Sequence, residues 1–321
     1  MSTTKDVHTV REVQTVYVLV FLGVALISSL WLLSSGVVGL PGEADPLPQV
    51  IAVTALLALL SFFAGFLTSD YSWTDRLWST APIGLAWIYA IAAPWDIRLV
   101  VAASLVSLWG LRLTVNFARR GGYSGKEDYR WPILEKRIGN PILWQLFNFF
   151  FIAVFQHFLF VCFTIPLYVL YLNAGAKPGV GFWLASAAVL GFLVLETVAD
   201  QQQWDFQRRK AAARGVKVPQ HSDPDIDHGF RTSGLFRWSR HPNYLGELGV
   251  WWSMFLAGAA SAGTLLHWSA AGPVLLTFLF VGSTYFTEGI TRSKYPHYDD
   301  YRKYTWPIFP KPGAGYRAEI D

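Results

Sequence analysis

Apolar residues run along this chain in long blocks separated by short polar connections. Eight blocks, near residues 15–39, 48–68, 77–95, 99–117, 142–171, 180–202, 244–261 and 268–290, predict membrane-spanning helices, since about 20 apolar residues cross a bilayer core. The block at 142–171 is the longest and predicts either one tilted helix with a bend before Pro166 or two shorter pieces. The expected fold class is all-α: a polytopic transmembrane helix bundle of about eight spans, with seven as the other possibility.

Composition agrees with lipid as the solvent. Hydrophobic residues make up 53% of the 321 positions and charged residues only 15%, against about a quarter charged in ordinary soluble domains. Mean hydropathy is +0.32. A single cysteine, Cys162, falls inside an apolar block, so neither a disulfide framework nor a cysteine metal site is expected, and no metal is. The first apolar run is too long for the core of a cleavable signal peptide and fits a first membrane helix.

Charge in the connections sets the expected orientation. With the N-terminus inside, 23 of the 26 Lys and Arg residues lie on the cytoplasmic side; Arg98 and Lys177 lie outside, and Arg112 falls within a span. That asymmetry favours an even number of spans with both termini cytoplasmic. It also accounts for the net charge of +4 without a nucleic-acid partner. The segment Gly121-Gly122-Tyr123-Ser124-Gly125-Lys126 faintly resembles a phosphate loop, but the spacing is wrong, Glu127 stands where Ser or Thr belongs, and no strand precedes it. It is read as a turn.

Polar side chains within apolar spans are costly and call for a pathway, a site or a partner. Glu196, Asp200, Gln203 and Gln207 recur at helical spacing and form one polar stripe running out of the sixth span. Arg112 and Asn116 are four apart in the fourth span, while Gln145, Asn148, Gln156 and His157 punctuate the fifth. A lone His or Asn in such a helix commonly serves as interhelical glue; Arg112 needs an anion or a wet pocket. After Thr287-Glu288 the tail interleaves tyrosines and bases, with Tyr298, Tyr301 and Arg302 suited to capping a nucleotide or lying on the membrane surface.

The richest segment is Gly234-Leu-Phe-Arg237-Trp-Ser239-Arg240-His241-Pro242-Asn243-Tyr-Leu-Gly246-Glu247, where a charged loop enters the seventh span. Arg237 and Arg240 are fixed cations, His241 donates or accepts, and Pro242 starts a helix that puts Asn243 and Glu247 on one face. An anionic cofactor suits that set, and a basic-aromatic membrane anchor is the plainer reading of the arginines alone. Neither Glu247 nor Asp200 has a base at i+4, where Trp251 and Trp204 stand, so their partners are expected elsewhere, from a ligand or from Arg112.

This segment, the Asp200 helix before it and Tyr298…Tyr301-Arg302-Lys303…Pro307 after it together resemble the steroid 5-alpha-reductase superfamily, in particular its subfamily of membrane proteins named for a domain of unknown function. Ser69-Asp70-Tyr71-Ser72-Trp73…Asp75-Arg76 and Trp109-Gly110-Leu111-Arg112 resemble it too. The resemblance divides the chain into N-terminal helices at 1–68, a reductase-like membrane domain at 69–310 and a tail at 311–321. It implies an enzyme that holds NADPH at the cytoplasmic side and reduces a C=C bond in a lipophilic substrate. Asp200 would meet the nicotinamide half, Ser239, Arg240 and Asn243 the phosphates and ribose, and Glu247 the deep end of the pocket. Arg112, Arg237, His241, Tyr298, Tyr301 and Arg302 complete the expected cofactor set.

The Gln-Glu pair by which steroid reductases polarise a substrate ketone is missing here, and Trp109 occupies the place of a tyrosine. Tyr71, Asp70 and Asp75 at the end of the second span and His157 in the fifth are the substitutes considered, giving a catalytic set of Tyr71, Asp75 and Glu247; Asp75 beside Arg76 also suits a plain surface pair. The Arg-His-Pro-x-Tyr-x-Gly pattern is similar as well to isoprenylcysteine and phospholipid methyltransferases, which use S-adenosylmethionine and usually carry adjacent glutamates near the last span, where this chain has Glu288 alone. Expected partners are a lipophilic small molecule and membrane lipids, in a bacterial inner membrane or the endoplasmic reticulum.

Overall fold

The computed structural model describes residues 3–40, 42–213, 223–313 and 315–316, with side chains from Gln14 onward. Lys5, Arg11, Arg214, Lys217 and Arg317, part of the charge argument, therefore lie outside the described side chains. The protein is all-helical and, among the described residues, has no β-strand. A helix forms at each of the eight expected places, and among the described residues six helical runs are long and apolar enough to cross a membrane: Gln14–Ser34, Pro46–Thr68, Ile97–Arg119, Pro141–Leu172, Val180–Ala212 and Trp268–Lys294.

The other two differ from expectation for local reasons. The expected span 77–95 is broken into α3 (Trp73–Leu77) and α4 (Ala81–Ala92). Pro82 starts the second piece, and Pro94 and Trp95, both at positive φ, follow its end. Its 12 residues rise about 18 Å, short of a bilayer core of about 30 Å. Helix α11 (Pro242–Ala262) has the length, at 21 residues, but carries Asn243 and Glu247 in its first two turns and is not one of the six.

The chain divides into two compact units, Met1–Trp183 with Phe255–Gly272, and Leu184–Met254 with Pro273–Asp321. In the first, α1 (Thr3–Ser34), α2 (Pro46–Thr68) and α5 (Ile97–Arg119) accompany α3 and α4. The Asp45 and Asp96 carboxylates cap α2 and α5 by accepting from Leu47 N and Arg98 N. Short α6 (Arg130–Ile138) and α7 (Pro141–Phe147) lead into a π-helical stretch, Asn148–Phe155, and then α8 (Gln156–Leu172), so the segment expected as bent or split is one continuous helical run. Helix α8 packs against α2, α4 and α5 through a fully buried row that includes Phe160, Phe163 and Leu167.

Pro166 lies inside α8 and offers no N–H to the Cys162 carbonyl one turn back. Gly272 passes directly over that carbonyl, where a Cβ would collide with it. The second unit contains the body of α9 (Val180–Ala212), α10 (Pro224–His228), a 3₁₀ turn at Gly234–Arg237, the start of α11, most of α12 (Ala271–Lys294) and α13 (Tyr298–Tyr304).

Candidate functional site

In the second unit the expected polar stripe of α9 faces α11. Glu196 and Asp200, one turn apart, are each 4% exposed, whereas Gln207 at the far end of the stripe is exposed. Asn243 and Glu247, also one turn apart, meet them from α11: Asn243 Nδ2 donates to Asp200 Oδ1 at 3.4 Å. The helices approach this closely because α11 has glycine at both contact points. A Cβ on Gly246 would stand 2.5 Å from Glu196 Cβ, and one on Gly249 would run into the Phe192 ring. Glu247 is as buried as Asp200, and its Oε1 accepts from the Trp251 indole N–H at 3.3 Å. The i+4 tryptophan that offered no charge on sequence grounds is thus itself a partner.

The loop ahead of α11 is fastened to the tail. Arg240 N and His241 N donate to the carbonyls of Trp306 and Pro307, both at 2.9 Å, and Ser239 Oγ donates to the Ile308 carbonyl at 2.6 Å. Arg240 forms a two-pronged ion pair with Glu288 on α12 and also donates to the Thr305 carbonyl. Glu288 takes two more neighbours, His241 Nε2 at 3.1 Å and Arg302 Nε at 3.2 Å. His241 stacks on Tyr244. The expectation for Ser239 and Arg240 was cofactor phosphate and ribose; in the structure the Ser239 hydroxyl meets backbone carbonyls of the tail, and the Arg240 guanidinium meets the buried Glu288 carboxylate.

Tyr298 and Tyr301 were expected to close over a ligand, and here they are core. With Phe230 they form a buried aromatic cluster, and the Tyr301 hydroxyl donates to the Phe236 carbonyl. Burial drives the pKa of both phenols upward, so they stay neutral. Arg302, half-exposed, bridges Glu288 and Asp299.

Beside this loop lies a pocket of about 340 Å³ lined by Arg209, Asp225, Ser233, Gly234 and Arg237 among others. Asp225 organises its wall, accepting from Thr232 N at 2.7 Å, Thr232 Oγ1 at 2.8 Å and both donors of Ser233. Gly234, at φ +66°, lets the chain pass Gln202, whose Oε1 accepts from Leu235 N at 2.9 Å.

The first unit holds Tyr71, Asp75 and Arg112. Gln145 Nε2 donates to the Tyr71 hydroxyl at 3.1 Å and Asn148 Nδ2 donates to Gln145 Oε1 at 3.2 Å, a chain that ends where the π-helix begins. Asp75 does not make the surface pair with Arg76 that adjacency offered. Arg76 is fully buried, donates to Asp70 at 2.6 Å and stacks over Trp73, while Asp75 accepts from the Trp131 indole at 2.7 Å and Arg130 at 3.4 Å. Burial, reinforced by Asp128 and opposed by Arg130, pushes Asp75 up to about 6. Burial likewise raises Glu127, which accepts from Tyr71 N at 2.8 Å, to about 7. Arg112 is half-buried in the last half of α5.

Sequence reasoning passed over Glu288 as a site residue. The signal that singled out Glu247, an acid at the end of an apolar span, was present there too. Gln202 and Asp225 carried no such signal, since both act on backbone amides of a loop whose path the sequence does not give.

The family model described as "Protein of unknown function (DUF1295)" matches residues 61–306, close to the 69–310 of the sequence resemblance. The chain belongs to this family. The family is related to the steroid 5-alpha-reductases. The chain is similar to an uncharacterised protein of Schizosaccharomyces pombe, 36% identical over 285 residues that cover 82% of this chain and 81% of that protein. No solved structure matches the chain.

Proposed function

We propose that this protein is an integral membrane, NADPH-dependent reductase of a C=C bond in a lipophilic substrate of steroid, isoprenoid or lipid-like character. The observation that carries the proposal is the opposed polar pairs of α9 and α11, Glu196 and Asp200 against Asn243 and Glu247, buried inside apolar helices beside a basic loop. Such groups are costly in a membrane helix and mark function by default. Kinship with the steroid reductases gives them a chemistry, by analogy of fold rather than by geometry.

The residues suit a dinucleotide. Asp200 and Glu247 are acceptors for ribose hydroxyls and a carboxamide N–H, and Asn243 both donates and accepts. For the phosphates, Arg237 on the 340 Å³ pocket stands in for Arg240, whose guanidinium serves Glu288, while Arg209 on the same pocket is paired with Asp223. The dinucleotide, when bound, supplies a hydride. The protein supplies orientation and a proton. Within the first unit, Tyr71 is the group best suited to general-acid work: Gln145 donates to its oxygen, which leaves the phenolic O–H for an acceptor, and burial raises the neighbouring Glu127 and Asp75 carboxyls. A cytoplasmic N-terminus would place the loops at 118–140 and 207–242 on the side where NADPH is found.

A methyltransferase using S-adenosylmethionine is the competing reading, favoured by the contact of Glu288 with Arg240 and His241. Gentle detergent purification followed by denaturing mass analysis of the retained small molecule separates the two. A nicotinamide dinucleotide is expected; an S-adenosyl compound would replace the reductase with the methyltransferase.

A further inference from the structure

The turn at Gly121–Lys126 borders a second pocket, of about 500 Å³, in the first unit. Arg119, Arg120 and Lys126 line it with Ser124, over a floor of Gly121 and Gly125. Both glycines have positive φ, +91° and +75°, a conformation that disfavours side chains. The stem of Lys126 lies above Gly121, with Cβ and Cδ 3.7 Å from where a Cβ would be. Among the described residues, no carboxylate lines this pocket.

The turn is held rigidly from its inner side. The buried Arg76 donates from Nε to the Gly122 carbonyl at 3.0 Å, and the Tyr123 hydroxyl donates to the Arg76 carbonyl at 3.1 Å. Tyr123 sets edge-on against Phe117, whose ring occupies the space a Cβ on Gly122 would need. Asn116 accepts from Arg119 Nε at 3.0 Å and fixes the direction of that side chain. The cations are therefore presented on an ordered frame.

Position in the fold says what kind of ligand this frame meets. Gln14, on the pocket wall, directly precedes the apolar run that the sequence sets at 15–39, and Arg119 is the last residue of the apolar span of α5. The pocket thus lies where two spans leave the hydrocarbon. One and two turns below Arg119 on the same face of α5 stand Val115 and Leu111, 65% and 58% exposed. A basic pocket above an exposed apolar stripe matches a ligand with a phosphate at one end and an acyl chain at the other.

We propose that this pocket seats the phosphate of an anionic phospholipid, with an acyl chain along Val115 and Leu111. The site is independent of the reductase assignment. Native mass spectrometry of the full-length protein, titrated with dioleoylphosphatidylglycerol or dioleoylphosphatidylcholine, tests it. The wild type is expected to prefer the anionic lipid, and each cation removed should cost roughly fivefold of that preference. Arg120→Gln with Lys126→Gln should nearly abolish it, and Lys126→Glu, a single change at an exposed side chain, provides a variant that keeps the fold. Equal binding of the two lipids by the wild type, or an undiminished preference in either variant, overturns the proposal. A melting temperature raised by inorganic phosphate in the wild type alone, without lipid discrimination, would make this a soluble phosphate site and equally overturn the lipid assignment.

Discussion

Arg240 Nε lies 2.7 Å from Glu288 Oε1 and its second terminal nitrogen 3.2 Å from Oε2, a fork-to-carboxylate pair with each side chain only 6% exposed. It joins the loop before α11 to α12 and so sets where α11 begins. Breaking such a pair leaves one charge buried alone, at a cost of about 3–5 kcal/mol. Glu288→Gln should lose about that much, because Arg240 and His241 lose their shared anion together. Arg302→Gln, at the half-exposed rim of the same cluster, should cost no more than about 1 kcal/mol. Denaturant melts of the two variants in one detergent would check the contrast.

Gly246 permits the approach of α11 to the acids of α9. Its missing Cβ would stand 2.5 Å from Glu196 Cβ and 2.9 Å from Glu196 Cα, both atoms close to or in the backbone and unable to swing away. Gly246→Ala should destabilise by about 1–3 kcal/mol. On α9 itself, Gly191 has nothing within 4 Å of its Cβ position, and Gly191→Ala should be neutral or stabilising by up to about 1 kcal/mol. Paired thermal melts would distinguish packing from helix propensity.

Stability should depend on pH through two acids near Tyr71. Burial raises Asp75 to about 6 and Glu127 to about 7, above the ordinary carboxylate range. Between that range and these values the folded state holds more protons than the unfolded one, so stability falls as pH rises. The melting temperature should drop from about pH 4 to about pH 7, and Glu127→Gln should flatten the upper part of that slope. An unchanged slope in this variant would contradict the assignment.

The fold was largely legible in the sequence because helix-length apolar blocks are a local property. The exceptions were local conflicts as well: proline near either end of α4, and polar residues in α11. The site was half legible. Spacing placed Asp200 with Glu196 and Asn243 with Glu247, since helical period alone decides which side chains share a face. Spacing could not show that Arg240 would find Glu288, 48 residues away, or that Trp251 would donate to Glu247. Nor could it show that Arg76 would reject its neighbour Asp75 for Asp70. Each of these depends on how elements pack or turn, which one sequence does not reveal.

Glu247→Gln and Asp200→Asn separate a site role from a fold role. An amide oxygen can still accept from Trp251 or Asn243, so shape and these hydrogen bonds survive while the charge goes. Both variants should express and melt within about 1 kcal/mol of the wild type, with NADPH affinity reduced. Early melting with unchanged affinity per folded molecule would make the two acids structural.

The most direct test is a thermal-shift titration of the detergent-solubilised protein with NADPH and, separately, S-adenosylmethionine. A ligand that binds only the folded state at 100 times its dissociation constant stabilises by about 2.7 kcal/mol, a shift easily resolved. NADPH should raise the melting temperature of the wild type and raise it less in Asp200→Asn, and S-adenosylmethionine should leave it unmoved. Stabilisation by S-adenosylmethionine alone would contradict the account.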